Sequence, residues 1–444
     1  MKKIYRNLRI FTMDENNTYY KSGYIEVEKG KIKALGNMED LSTEEKEKCE
    51  IYDGKGKIVI PGMITTHAHF YGEFARGMAI SQPICNWQQV LSRMWWKFDK
   101  KLTEEQIYYS AMMGLIEGLK YGTTTYFDHQ ASPFFTEGSL DVIEQAVRQA
   151  GARACLSYEV SDRDGHDHRK SGITENVRFI KKVNNEDDGL VRALFGLHAG
   201  YTLDQETLEI CADYGKKLNC GFHIHVAESM ADVSESYRLY DMHVVDRLAQ
   251  AGILGEKTIA AHGVNVGEEQ WKLFKETGTT VAHNIQSNMN NAVGLCPVVQ
   301  MLNDGVAVAL GGDGYTYDLF TELGFAVIMQ RTRENDPRVF SSEQIRKFAF
   351  ENPGKLVKRI FHAEAGVIKE GAIADFLILN YDEPSPIKPS NVFSHMTSAF
   401  SGHVETVVVA GKEVVKEGVC TQIDEERILA KCRESAQELW SSLC

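Results

Sequence analysis

Nothing in this sequence is long and apolar enough to cross a bilayer, because no run approaches the roughly 18 uninterrupted apolar residues a spanning helix needs. The opening MKKIYRNLRIFTMD has basic residues but neither the apolar core nor the small-residue cleavage pattern of a secretory leader. The nine cysteines are scattered, odd in number and form no CxxC, which points to a reducing cytoplasm. Clustered positive charge is also missing. Lys and Arg number 49 against 62 Asp and Glu, a net charge of -13, so a general nucleic-acid binder is not expected. No Gly-rich phosphate loop of the Rossmann or P-loop type occurs, which removes the main sequence support for a doubly wound nucleotide-binding sheet.

What is present is a chain of 444 residues, 43% hydrophobic and 25% charged, an ordinary composition for a globular enzyme of more than one domain. Residues 1–60 alternate in period two with Gly and Asp punctuation, and so do residues 364–420. Two strand-rich pieces bracketing a long middle predict a small β-sandwich built from both chain ends. Residues 421–444 place Ile428, Cys432, Leu439 and Leu443 near helical spacing and predict a packing helix. Between them, residues 61–363 hold eight short apolar strand candidates separated by helix-length connections. Their signatures are MITTHAHF, GTTTYFDHQ, ARACLSYEV, VRALFGLHAG, CGFHIHVAES, TIAAHGVNV, TVAHNIQSN and VAVALGGDG. That count predicts an α/β fold with a (β/α)8 barrel.

The strand candidates end alike. His67 and His69 end the first, Asp128 and His129 the second, His198 the fourth, His225 the fifth with Glu228 just beyond, His262 the sixth, His283 the seventh and Asp313 the eighth. In a parallel barrel these ends converge on one face, where such enzymes place their sites. His67 and His69 are two apart, so on a strand they project to one side and can share a metal, which His225 and Asp313 could complete. Glu228 is within reach as a general acid/base. The pair His166 and His168 has the same spacing but lies in the hydrophilic run SDRDGHDHRK and is expected in a solvated loop. His223 could serve the core or the site equally well. HAE at residues 362–364 carries nothing, because the PCxxC partner of the cytidine-deaminase zinc signature is absent from the chain.

PGMITTHAH, HVAE, AAHG, LGGDG and GVIKEGAIADFLIL occur in that order, and with them the chain resembles the amidohydrolase superfamily over nearly its whole length. Within it, the resemblance is to the branch of guanine, cytosine and methylthioadenosine/adenosylhomocysteine deaminases and triazine hydrolases. ARGMA, DHQASP and HNIQSNMNNAVG resemble the SsnA-type aminohydrolases. The resemblance implies one divalent ion, Zn2+ or alternatively Fe2+, held by His67, His69, His225 and Asp313. Strand four, VRALFGLHAG, lacks the lysine that bridges two ions in other members. It further implies catalytic roles for Glu228 as proton shuttle, His262 as the residue orienting water and oxyanion, and Asp313 as a proton carrier to the leaving nitrogen.

His198 and His283 match positions near substrate. His129, Gln130, Arg163, Asn284, Trp95 and Trp96 are further candidates for contacting it, the aromatics by stacking and the polar groups by reading a ring edge. Phe70, Phe74 and Glu159 belong to the same set of possibilities. The glutamate that binds ribose in the methylthioadenosine branch is replaced by Ile80, which argues for a free heterocycle over a nucleoside. The activity implied is hydrolytic deamination of a purine-like ring. Opening of a cyclic C–N bond is the alternative, and a scaffold that has lost catalysis is the reading of another class. The expected partners are a small heterocyclic substrate and a second copy in a homodimer, with no nucleic acid and no membrane.

Overall fold

The computed structural model describes residues 2–42, 49–80, 82–186 and 188–443. Residues 1, 43–48 and 444 of the expected terminal segments lie outside the described residues. Eighteen strands are described, in three sheets.

The chain ends meet in one of these. β1 (Lys2–Phe11), β2 (Tyr19–Glu28), β3 (Lys31–Asn37), β4 (Glu50–Asp53) and β5 (Ile58–Pro61) come from the front. The middle of the chain supplies β6 (Met63–Ala68), β7 (Thr123–Gln130), β8 (Arg153–Tyr158), β9 (Val191–Ala193) and β10 (Phe195–Ala199). It continues with β11 (Phe222–Val226), β12 (Ile259–His262), β13 (Thr280–His283) and β14 (Val308–Leu310). β15 (Phe376–Leu379), β16 (Val404–Val409), β17 (Lys412–Lys416) and β18 (Val419–Cys420) come from the rear. The sandwich expected of the two ends is hydrogen-bonded as one nine-stranded sheet, ordered β18-β17-β16-β15-β5-β1-β2-β3. It forks at β1, which carries β4 beside its first half and β5 beside its second. Tyr5, Ile10, Ile25, Val59, Phe376 and Val408 bury their side chains in a core of its own.

β6 to β14 make the barrel. Two parallel sheets, β6-β7-β8-β9 and β10-β11-β12-β13-β14, are joined by bridges Val160–Leu197 on one side and Ala68–Asp313 on the other. β9 and β10 are the two halves of strand four, separated by Leu194, so eight strands close the cylinder. The second closure is tight, because the amides of Gly312 and Asp313 both donate to the carbonyl of His67, at 3.1 and 2.9 Å.

Helices wrap the cylinder by burying one stripe. The helix Ser139–Ala150 buries Leu140, Ile143, Val147 and Ala150 at spacings of three and four, and Gly151 ends it in the left-handed region at φ 78°. His166 and His168, expected in a loop, instead open the helix Val183 closes, with His166 exposed to solvent. The helix Glu425–Leu443 buries Ile428, Cys432 and Leu439, and its Trp440 indole donates to the carbonyl of Phe74 at 2.6 Å.

Candidate active site

The chain passes from one sheet to the other across a single residue. Gly62 donates its amide to the carbonyl of Asp375, just before β15 of the nine-stranded sheet, and Met63 donates to that of Gly122, just before barrel strand two. A Cβ on Gly62 would stand 2.3 Å from Thr124 Oγ1, so only glycine fits. β6 then delivers His67 and His69 at the C-terminal mouth.

Proton bookkeeping fixes their ring nitrogens. The Ser157 hydroxyl spends its one hydrogen on the Asp128 carbonyl (2.9 Å), so it accepts from His223 Nδ1 at 3.3 Å. His223 Nε2 is therefore a lone pair and accepts from His67 Nδ1 at 2.8 Å. That leaves His67 Nε2 as a lone pair, without a hydrogen-bond partner among the described residues and 3.5 Å from Asp313 Oδ1. His69 donates Nδ1–H to the carbonyl of His129 (2.6 Å), and His225 donates Nδ1–H to that of His198 (2.8 Å). Their two Nε2 lone pairs face each other at 3.1 Å, with Asp313 Oδ1 3.2 Å from that of His69. Three imidazole nitrogens and a carboxylate oxygen converge, and neutral rings put no hydrogen between them. A cation satisfies that arrangement, and the donor set suits zinc.

The electrostatics agree. Burial pushes the His67 imidazole down to about 3 and holds His225 well below its ordinary value. Burial also works against a charge on His69, but the Asp313 carboxylate overrides it and raises that ring to about 9. Asp313 stays well below the carboxylate range despite burial, because the imidazoles of His67, His69 and His262 crowd around it. The quartet asks for positive charge.

Asp313 is presented by a tight turn. A Cβ on Gly311 would lie 2.2 Å from Asn284 Oδ1, and one on Gly312 would lie 2.0 Å from the Thr316 carbonyl. Asp313 itself takes φ 57°, His262 φ 76° and Ala227 φ 49°, so three non-glycine residues at the site sit in the left-handed region. Ser287 donates to Asp313 Oδ2 at 2.5 Å. His262 donates Nδ1–H to Asn288 Oδ1 (2.8 Å) and turns its Nε2 lone pair toward Glu228 Oε2 at 3.7 Å and Asp313 Oδ2 at 3.8 Å. Burial, reinforced by Asp313, raises the Glu228 carboxyl well above its ordinary value, which suits a group that takes and returns a proton.

Above these groups lies a cavity of about 310 Å3. His69, His225, Glu228, His262 and Asp313 form its floor, and of the candidate substrate contacts His198, Arg163, Trp95 and Trp96 line it. Ile80 stands at its mouth with Ile84, Trp87 and Leu91. The other expected contacts do not reach the cavity. His129 is wholly buried and stacked on His223, ring centroids 4.4 Å apart and planes within 9°. Gln130 spends its amide on Ser132 Oγ (3.0 Å), Asn284 packs against Gly311, and His283 stands 6.1 Å from the Phe348 ring. Successive strand residues point to opposite sides, so lying at a strand end does not aim a side chain at the opening.

The structure adds residues that sequence reading did not single out. Tyr71, Asp99, Tyr201, Asp232 and Ser287 line the cavity, and Glu159 takes a larger part than a ring-edge contact. Asp99 is 1% exposed and pairs with Arg163, whose guanidinium lies 5.3 Å over the Trp96 ring, so the tryptophan segment is latched to the barrel.

A model of the amidohydrolase family matches residues 58–414, from the last strand before the barrel to the returning sheet. The chain belongs to the amidohydrolase family. This amidohydrolase is 33% identical over 420 residues to a 5'-deoxyadenosine deaminase of Methanocaldococcus jannaschii, covering 94% of this chain and 96% of the relative. It is 30% identical over 445 residues to a 5-methylthioadenosine/S-adenosylhomocysteine deaminase of Halothermothrix orenii, covering 98% and 99%. Among solved structures, an adenosine deaminase from Xanthomonas campestris with bound zinc superposes with a TM-score of 0.88 at 20% identity, covering 99% of this chain and 98% of that one. Atrazine chlorohydrolase from Arthrobacter aurescens TC1, complexed with zinc, gives 0.84 at 23%, covering 98% and 100%. These last two likenesses speak for the fold.

Proposed function

We propose that the protein is a metal-dependent aminohydrolase that replaces an exocyclic amine of a purine-like heterocycle by oxygen, releasing ammonia. The observation that carries this reading is the convergence of three imidazole lone pairs and Asp313 beside Glu228, at the floor of a cavity sized for one fused ring. The relatives' names supply the reaction class, since both are deaminases of adenine-bearing compounds. His67, His69, His225 and Asp313 would hold one divalent ion, which we take to be Zn2+ as in the two structural neighbours.

When bound, such an ion makes a water acidic enough, with a pKa near ~7, to attack at neutral pH. His262, its Nδ1–H spent on Asn288, offers a lone pair that accepts a hydrogen of the attacking water and so aims its oxygen. Glu228 takes the other proton and delivers it to the ring nitrogen beside the attacked carbon. The returning electron pair expels the amine after it is protonated, because an amide anion is a poor leaving group. Asp313 and Glu228 are the carboxylates placed to carry that proton. Trp95 and Trp96 supply flat apolar surface for the ring. We further propose a cytoplasmic homodimer. The eight described cysteines are all free, which fits a reducing compartment, and no described helix is long and apolar enough to cross a membrane.

A product-resolved assay on a heterocycle panel tests the reading. Ammonia with retention of the aromatic chromophore supports it. Loss of the chromophore would replace it by ring opening, and no hydrolysis together with no bound metal would make the chain a scaffold.

A further inference from the structure

One wall of the cavity has acceptors where a partner must supply donors. The Thr202 hydroxyl gives its hydrogen to the Ala199 carbonyl at 3.1 Å and so accepts from His198 Nδ1 at 2.7 Å. His198 is left with a lone pair on Nε2. Facing it at 3.8 Å is Glu159 Oε2, too far for a proton to be shared between them. The other oxygen, Oε1, makes no hydrogen bond among the described residues, its approaches to His69 Nδ1 and His129 Nδ1 being 3.4 Å each and misaligned. The Glu159 side chain is 4% exposed, and its amide is pinned to the Gln130 carbonyl at 2.8 Å, so it has no freedom to turn to solvent. His198 Nε2 and Glu159 Oε2 are thus two acceptors side by side on the cavity wall, and a molecule that enters the cavity meets both.

A second divalent cation is one candidate, since Glu159, His198 and His225 bring ligand atoms within 4.8 Å of one another. His225 is not available to it. Its Nδ1–H is bonded to the His198 carbonyl, and its Nε2 belongs to the quartet with His69 and Asp313. Two ligands remain, too few to hold an ion.

We propose that Glu159 and His198 select the substrate by accepting two N–H groups from the ring edge opposite the amine that is removed. The inference rests on the deaminase reading and narrows it. The edge must carry two parallel donors, as a 6-amino-2-oxopurine does through N3–H and N9–H. Adenine offers one donor there, and a 9-riboside or 9-methyl derivative offers neither the second hydrogen nor the room. The Trp96 ring, 6.5 Å from that of His198 and backed by Arg163, is positioned to cover the face of such a ring.

The test is the release of ammonia from 6-amino-2-oxopurine, its 9-methyl derivative, its 9-riboside, and adenine, using the native metal-loaded protein. The expected order places the first above the other three by about 10²-fold or more in kcat/KM, since a site built to bond N–H groups rejects rings that lack them. In Glu159→Gln, with metal content measured alongside, the expected result is retained metal and a ratio between the free and 9-methyl rings reduced at least tenfold. Equal kcat/KM for the free and 9-substituted rings would overturn the selection while leaving the deaminase reading intact. Two ions per native chain, one of them lost in Glu159→Gln, would overturn it in favour of a second cation. Ammonia from no ring at all would overturn the deaminase reading and this inference with it.

Discussion

His67 donates its Nδ1–H to His223, 2.8 Å away, and its other nitrogen, turned to Asp313, has no hydrogen-bond partner among the described residues. Ser157 begins that relay and the proposed cation site ends it, so the tautomer of a proposed metal ligand is set by a hydroxyl two side chains away. His223→Ala removes the acceptor and frees His67 to adopt the wrong tautomer. The expected result is a loss of metal affinity of about 10- to 100-fold, measured by competition with a chelator. Unchanged affinity would show that the relay does not orient His67.

Glu228→Gln keeps the shape of the side chain and removes its proton chemistry. Metal content should stay at the native level while kcat falls by roughly 10² or more. Full activity in this variant would exclude Glu228 as the proton shuttle.

Ser287 donates to the oxygen of Asp313 that faces His262, so it would steady this proposed ligand without itself being one. Ser287→Ala should weaken metal binding by about tenfold. A chelator titration of the two proteins reads it directly, and identical curves would remove Ser287 from the account.

Stability should depend on pH through Glu322. Burial raises its carboxyl to about 8, although Gln286 donates to it from both backbone and side chain. Its folded value lies above the unfolded one, so the folded state holds the extra proton between about 4.5 and about 8. Stability from this group is complete below the unfolded value and is lost as pH rises through about 8. Tm should therefore fall between pH 6 and pH 8.5, and Glu322→Gln should flatten that slope. An unchanged slope would place the titration elsewhere.

The barrel and the cluster of histidines and carboxylates at its mouth were legible because both rest on strong local signals. Eight apolar strands at helix-length intervals specify the cylinder, and histidines or acidic residues at the ends of seven of them specify the reactive mouth. The forked sheet was less legible, since β4 and β5 share β1 as partner and pairing between distant strands leaves no local pattern. His129 and His283 look like site residues in the sequence, yet their rings lie against His223 and near Phe348. Strand ends reveal position but not the direction of the side chain. Glu159 and Asp99 were weak signals for the opposite reason. An acidic residue after a strand, or within an aromatic helix, reads as solvent-facing until the fold encloses it.

The central claim is that His67, His69, His225 and Asp313 hold one ion. Elemental analysis of the purified protein beside His225→Ala and Asp313→Ala tests it most directly. The account predicts one divalent ion per native chain, most of it zinc, and almost none in either variant that remains folded by circular dichroism. A native protein without a divalent ion, or folded variants that retain it in full, would contradict the account.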